Sequence, residues 1–286
     1  MVATRYLITG AAGMLGEDLQ AAFSGRDVTA LSRAELDITD LDAVTAAAAG
    51  HDVIINAAAY TKVDDAETNE DLAFAVNATG AANLARAAAG NGARLVQVST
   101  DYVFDGTATS PYSEDAPLNP VSAYGRTKAA GEQLVSELHR SGTFIVRAAW
   151  LYGAHGPNFA KTMLRLASDH DTVSVVDDQI GQPTWTLDLA RQVVALLDAD
   201  APAGIYHATN SGSGSWFDFA QAVFREAGLD PARVKPTDSS HFVRPAPRPA
   251  YSVLGHESWA HTGLAPLRDW RDALADAAAR GVLENT

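Results

Sequence analysis

The chain has 286 residues, 47% of them apolar, and carries 35 acidic against 21 basic residues for a net charge of −14. That length supports an ample core in one large domain or two intimately joined ones. The acidic balance argues against a general nucleic-acid surface or an anionic membrane as partner, while leaving room for a small anionic ligand met by local charge.

The absence of cysteine rules out disulfides, thiolate metal sites and a cysteine nucleophile, and the eight histidines show no metal-ligand spacing. The N-terminus enters an apolar strand without the charged and long apolar regions of a signal peptide, so a cytoplasmic protein with no membrane span is expected.

Residues 5–9 read as a short buried strand, followed at once by Gly10, Gly13 and Gly16 and by helical character over 17–23. In this strand-to-helix context Gly10 makes the tight turn, Gly13 lets backbone approach a pyrophosphate, and Gly16 lets the helix pack close. The phosphates would sit at the helix N-terminus, whose free N–H groups favour anions. Residues 27–31 read as the second strand. Ser32 and Arg33 then stand where a carboxylate for the ribose 2′-hydroxyl is often found. A hydroxyl and a guanidinium suit a 2′-phosphate better, with an ordinary loop cation as the alternative for Arg33. An Ala-rich helix is expected over 40–49.

Residues 52–56 form the next buried strand, ending in Ala57, Ala58, Ala59 and Tyr60, where small side chains let a flat cofactor lie close to backbone. Residues 70–91 read as one long helix or two, with Asn77 inside. The fourth strand, 94–99, delivers Thr100, Asp101 and Tyr102 to the carboxyl edge of the sheet. Asn119-Pro120 marks a turn, and Ser122 suits the N-cap of the helix that follows.

On that helix Tyr124 and Lys128 lie one turn apart on a shared face, and Arg126 points away. A phenol titrates near 10, and bringing it to about 7 takes roughly 4 kcal/mol. One ammonium about 5 Å away supplies roughly 3 kcal/mol at an effective dielectric near 20. Lys128 is therefore expected to depress the Tyr124 phenol and make it a general acid, with Thr100 orienting a substrate oxygen beside it. Such pairs are also common on solvated helices, so the weight of this one comes from the upstream motifs.

Residues 143–147 read as a fifth strand leading to Trp150, after which regular alternation weakens. Strands are expected at 173–176 and 204–208, and helices at 186–197, 216–228 and 267–280. The expected architecture is α/β: a Rossmann-type doubly wound parallel sheet with a smaller, less regular substrate-binding lobe. Residues 1–150 and roughly 185–210 would form the dinucleotide-binding domain, and 151–184 with 211–286 the lobe. Within the lobe, Arg248 is a candidate partner for a substrate pyrophosphate, with a structural loop contact as the equal alternative.

The glycine spacing, Thr100 and Tyr124-x-x-x-Lys128 resemble the extended short-chain dehydrogenase/reductase family. Four longer segments, 56–67, 99–106, 178–184 and 248–252, resemble its dTDP-4-dehydrorhamnose reductase branch. This resemblance implies NADPH, with NADH possible, and reduction of the 4-keto group of dTDP-6-deoxy-L-lyxo-4-hexulose. It implies Thr100, Tyr124 and Lys128 as catalytic residues, with Lys128 also bonding the nicotinamide ribose. Met14, Leu15, Asp37, Ile38 and Ala57 to Tyr60 would hold the cofactor, and Val63, Asp101, Tyr102 and Trp150 would contact a dTDP-sugar. Magnesium is associated with some members, without ligands identifiable here, and monomer or homodimer stays open. Other readings are a reductase of a related dTDP-4-keto-deoxysugar, such as one of a streptose pathway, and a non-catalytic dinucleotide-binding regulatory subunit.

Overall fold

The computed structural model describes residues 3–284. Strands β1 (Arg5–Thr9), β2 (Asp27–Leu31), β3 (Val53–Asn56), β4 (Arg94–Thr100) and β5 (Thr143–Ala148) join the strand Gly204–His207 in one parallel sheet. Its order is Gly204–His207, β5, β4, β3, β1, β2. The order reverses between β1 and β3, and at such a reversal a crevice opens beyond the carboxyl ends of the strands.

Alternate residues of each strand face opposite sides, and both sides are covered, which is why these strands read as continuous apolar runs. Ile8, Val53, Ile55, Val96 and Val146 pack on α1 (Met14–Ala22) and on the helix Thr186–Asp198. Leu7, Ile54, Leu95 and Ile145 pack on α2 (Leu41–Ala48) and on two further helices described next. After the short α3 (Val63–Ala66), the expected helix over 70–91 appears as α4 (Glu70–Phe74), a π turn at Ala75–Gly80 and α5 (Ala81–Asn91). The second of the two is α6 (Ala123–His139), capped at Ser122, whose hydroxyl accepts from the Gly125 N–H at 3.1 Å.

Two buried polar networks fix the sheet edge and α6. The Thr9 hydroxyl donates to Asn56 at 2.7 Å, and the Asn56 amide donates to Gln97 at 2.8 Å, linking β1, β3 and β4. Arg147 on β5 pairs with Glu132 on α6 at 2.8 Å, the side chains only 1% and 3% exposed. Losing one partner of such a pair costs about 3–5 kcal/mol, because the other charge stays buried.

The smaller lobe packs the helices Phe159–Asp169, Trp216–Glu226 and Trp270–Ala279 around Tyr152, Trp185, Phe219 and Phe224. Its parallel strand pair is Val173–Val176 with Val234–Thr237. The helix at 159–169 and the strand at 234–237 were not expected from the sequence. No described helix is long and apolar enough to cross a membrane.

Candidate active site

A cleft of about 980 Å³ lies beyond the carboxyl ends of the strands, between the sheet and the smaller lobe. Its floor is the turn Gly10 to Gly16. Gly10 has φ +70°, and a Cβ there would stand 2.5 Å from the Ala58 nitrogen; a Cβ on Gly16 would stand 2.2 Å from the Gly10 carbonyl oxygen. Side chains at either position would fill the cradle or break it. Gly13 is the N-cap of α1 and offers no capping side chain, so the first N–H groups of the helix are available to an anion at the cleft.

Ala57 to Tyr60 form the adjoining wall. They are held by Asn77, whose carbonyl accepts from the Tyr60 N–H at 2.8 Å while its amide donates to the Tyr60 carbonyl and the Thr127 hydroxyl, each at 3.1 Å. The π turn places Asn77 there, as such turns often do at functional sites. No sequence periodicity marks that turn, so Asn77 carried no visible signal. Arg33, Asp37 and Ile38 line the far end of the same cleft.

Thr100, Tyr124 and Lys128 all line this cleft. As their spacing required, Arg126 points away, pairing with Glu70 at 2.7 Å. The electrostatics, however, correct an expectation. The Lys128 ammonium donates to the Val98 carbonyl at 2.6 Å, and burial lowers it to about 8 against the opposing pull of Glu132. Tyr124 is not depressed: burial pushes its phenol up to about 12, opposed by the Thr100 hydroxyl and reinforced by the Asp101 carboxylate. Desolvation outweighs an ammonium already engaged with a backbone carbonyl. Tyr124 thus keeps its proton through the neutral range, the state that a proton donor needs.

Of the pair Tyr124 and Lys128, Lys128 is therefore the one that titrates in the accessible range. Its charge, present below its pKa and lost above it, would stabilise negative charge in any reaction that draws the proton from Tyr124. We expect kcat/KM to fall above about pH 8. Lys128→Arg, whose guanidinium stays charged, should abolish that alkaline limb even if turnover drops. A limb that persists in the arginine variant would assign it to another group.

Asp101 is buried beside Thr100. Its Oδ1 accepts from the Thr100 hydroxyl at 3.0 Å. Its Oδ2 is buried without a hydrogen-bond partner, and burial raises the acid to about 6 against the opposing effect of the Ser252 and Thr100 hydroxyls. Tyr102 meets the Tyr124 ring edge-on at 5.6 Å. Val63 and Trp150 complete this side, and Trp150 stacks on Trp216, with ring centroids 3.6 Å apart and 8° between planes. Trp216 is a cleft residue that the sequence showed only as the start of a helix.

The family model described as RmlD substrate binding domain matches residues 4–282. A dTDP-4-dehydrorhamnose reductase of Streptomyces griseus is 53% identical over 281 residues, covering 96% of this chain and 92% of that one. The chain belongs to the dTDP-4-dehydrorhamnose reductase family. A dTDP-4-keto-6-deoxy-D-glucose reductase of Streptomyces niveus is 50% identical, covering 96% of each chain. The crystal structure of dTDP-4-dehydrorhamnose reductase from Bacillus anthracis in complex with NADP superposes with TM-score 0.94 at 41% identity, covering 98% of this chain and all of that one. The dTDP-4-dehydrorhamnose reductase match takes in the sheet and the lobe, hence both walls of the cleft.

Two of the expected site residues do not line the cleft of this family member. The Ser32 hydroxyl and N–H are both taken by the Glu35 carboxylate, at 2.7 and 2.9 Å, leaving Arg33 as the cleft's cation at that end. Arg248 sits at the rim and pairs with Asp64 at 2.9 Å, and the same carboxylate accepts from the Ala246 N–H at 3.3 Å. In a chain of this negative charge, a rim cation finds a carboxylate nearby. Among the described residues no group of three or more His, Asp or Glu could hold a metal ion, so the magnesium associated with some members acquires no ligands here.

Proposed function

We propose that this chain reduces the 4-keto group of dTDP-6-deoxy-L-lyxo-4-hexulose with NADPH, giving dTDP-L-rhamnose. The observation that carries the reading is that Thr100, Tyr124 and Lys128 line the same cleft as the Gly10–Gly16 turn. That cradle fits a dinucleotide, because Gly10 and Gly16 let the turn close tightly on the Ala57–Ala58 backbone and on α1, which offers uncapped N–H groups to a pyrophosphate. NADPH, when bound, supplies the hydride that the ketone carbon receives.

The chain's own residues do the rest. Thr100 orients the carbonyl oxygen, and Tyr124 gives that oxygen its proton as it becomes an alkoxide, a far stronger base than phenolate. Lys128 stabilises the phenolate left behind. The free oxygen of Asp101 accepts a sugar hydroxyl, and Val63, Tyr102 and Trp150 enclose the sugar. The test is direct: purified protein, NADPH and the keto-sugar nucleotide should show loss of NADPH absorbance matched by dTDP-L-rhamnose. Binding without turnover would favour a regulatory subunit. A second reading, reduction of another dTDP-4-keto-deoxysugar, draws on the similarity to a dTDP-4-keto-6-deoxy-D-glucose reductase. Product identification separates the two.

Two cations at the cleft's ends serve two anions in this reading. Arg33 meets the 2′-phosphate of NADPH, and Arg248 leaves Asp64 for the diphosphate of the sugar nucleotide. Arg33→Ala should weaken NADPH more than NADH and leave dTDP binding alone, and Arg248→Ala should do the reverse. Titrations by cofactor fluorescence and calorimetry check this. Equal loss of NADPH and NADH would make Arg33 a bystander, and unchanged dTDP affinity would leave Arg248 as a loop contact.

A further inference from the structure

Glu67 closes the segment 56–67 without lining the cleft. It stands at the carboxyl end of α3 and turns its carboxylate to another element, accepting from the Ala123 N–H, the first of α6, at 2.8 Å. The first N–H groups of a helix have no partner within it, and the Ser122 hydroxyl serves that of Gly125. Ala123 is fully buried, so without Glu67 its N–H would meet neither a cap nor water.

Local packing makes that reach possible. Ala66 of α3, Ala73 of α4 and Ala123 of α6 form one buried cluster, with the Tyr60 and Tyr124 rings packed against it. Their small side chains let the short helices approach α6 closely enough for a carboxylate to reach its backbone. The charge also suits the positive end of a helix. Tyr124 directly follows Ala123, so the anchored N–H is the neighbour of the residue that carries the phenol. The other polar contact between these elements, Glu70 with Arg126, joins two exposed side chains and leaves the backbone untouched.

We infer that Glu67 is a positioning residue for Tyr124: by anchoring the first N–H of α6 it fixes the start of the helix, and with it the phenol, against the substrate ketone. The inference rests on the reading of this cleft as a ketone-reducing site. A proton donor works only within hydrogen-bond reach of the oxygen it serves, and a displacement of about 1 Å can cost roughly 10²-fold. An unpaired N–H on Ala123 would draw the first turn toward another acceptor. Lys128 lies one turn further in and is held by the Val98 carbonyl, so Tyr124 takes the displacement.

The test is steady-state reduction of the keto-sugar nucleotide by full-length variants, with NADPH affinity from cofactor fluorescence as the measure of intact folding. Glu67→Ala should lower kcat roughly ten- to a hundredfold and leave KM and NADPH affinity within about twofold. Glu67→Gln, whose side-chain carbonyl still accepts the N–H, should bring kcat back to within about threefold of the parent. Should the alanine variant fail to fold, Glu67→Asp, whose carboxylate falls short of the N–H, takes its place with the same expectations. Glu70→Ala, which removes the exposed ion pair between the same elements, should leave kcat unchanged. In a Tyr124→Phe background, adding Glu67→Ala should cost nothing further, because the hydroxyl that Glu67 positions is gone. Unchanged kcat in Glu67→Ala, a loss carried by KM, a glutamine variant as impaired as alanine, an equal loss in Glu70→Ala, or a full loss in the Tyr124→Phe background would each overturn the inference alone. A parent protein without turnover would overturn the reading of ketone reduction and this inference together.

Discussion

Tyr124→Phe should lose about 10²–10⁴ in kcat, the usual worth of a general acid, while binding NADPH as well as the parent protein. The ring packs against the small buried residues Ala66, Ala73 and Ala123 and meets Tyr102 edge-on, and phenylalanine keeps all of that apolar contact. What disappears is the hydroxyl with its Thr100 partner. Thr100 remains bonded to Asp101, so the site does not collapse. The proton then has no positioned donor. Steady-state rates with the keto-sugar nucleotide, alongside a cofactor-fluorescence titration, check both halves. A variant within a few-fold of the parent would move the proton donor elsewhere. The nearest candidate is Asp101, whose carboxyl, raised to about 6, is partly protonated near neutrality.

The second large effect concerns what the protein does not do: given dTDP-glucose, it should yield no dehydrated keto product, and each keto-sugar reduced should consume one NADPH. Dehydration requires a proton taken from one carbon and another given to the departing hydroxyl. A pair of adjacent carboxyl groups could do both. Here Thr100 is followed by Asp101 and Tyr102. Burial holds the Tyr102 phenol above its ordinary value of 10, so it keeps its proton at neutral pH and cannot serve as the base. One carboxyl is left for two proton transfers. Chromatography of dTDP-glucose incubated with the protein, with and without added cofactor, is the measurement. Steady conversion with no net change in NADPH would overturn the assignment of net reduction and point to internal redox chemistry.

Much of this protein was legible locally. The strand β1, the glycine turn after it, the Ser122 cap and the shared face of Tyr124 and Lys128 follow from adjacent residues, because turns, caps and i,i+4 neighbours are set within a few positions of chain. The buried strands were visible as apolar runs because both faces of the sheet are covered. Other features depend on partners distant in the chain. The strand Gly204–His207 belongs to the main sheet only because it pairs with β5. Asn77 finds Tyr60 17 residues away and Thr127 50 residues away. The loop around Arg248 meets Asp64 across some 182 residues, and Trp150 meets Trp216 from another element of the lobe.

The phenol of Tyr124 marks the boundary most sharply. Sequence spacing located the cation near it and predicted a lowered pKa from Coulomb's law alone. The opposite direction follows from how completely the folded chain encloses the hydroxyl and from Lys128 turning to the Val98 carbonyl. Spacing along a helix determines which groups are neighbours, whereas desolvation and hydrogen-bond competition depend on everything packed around them, and only the tertiary structure decides those.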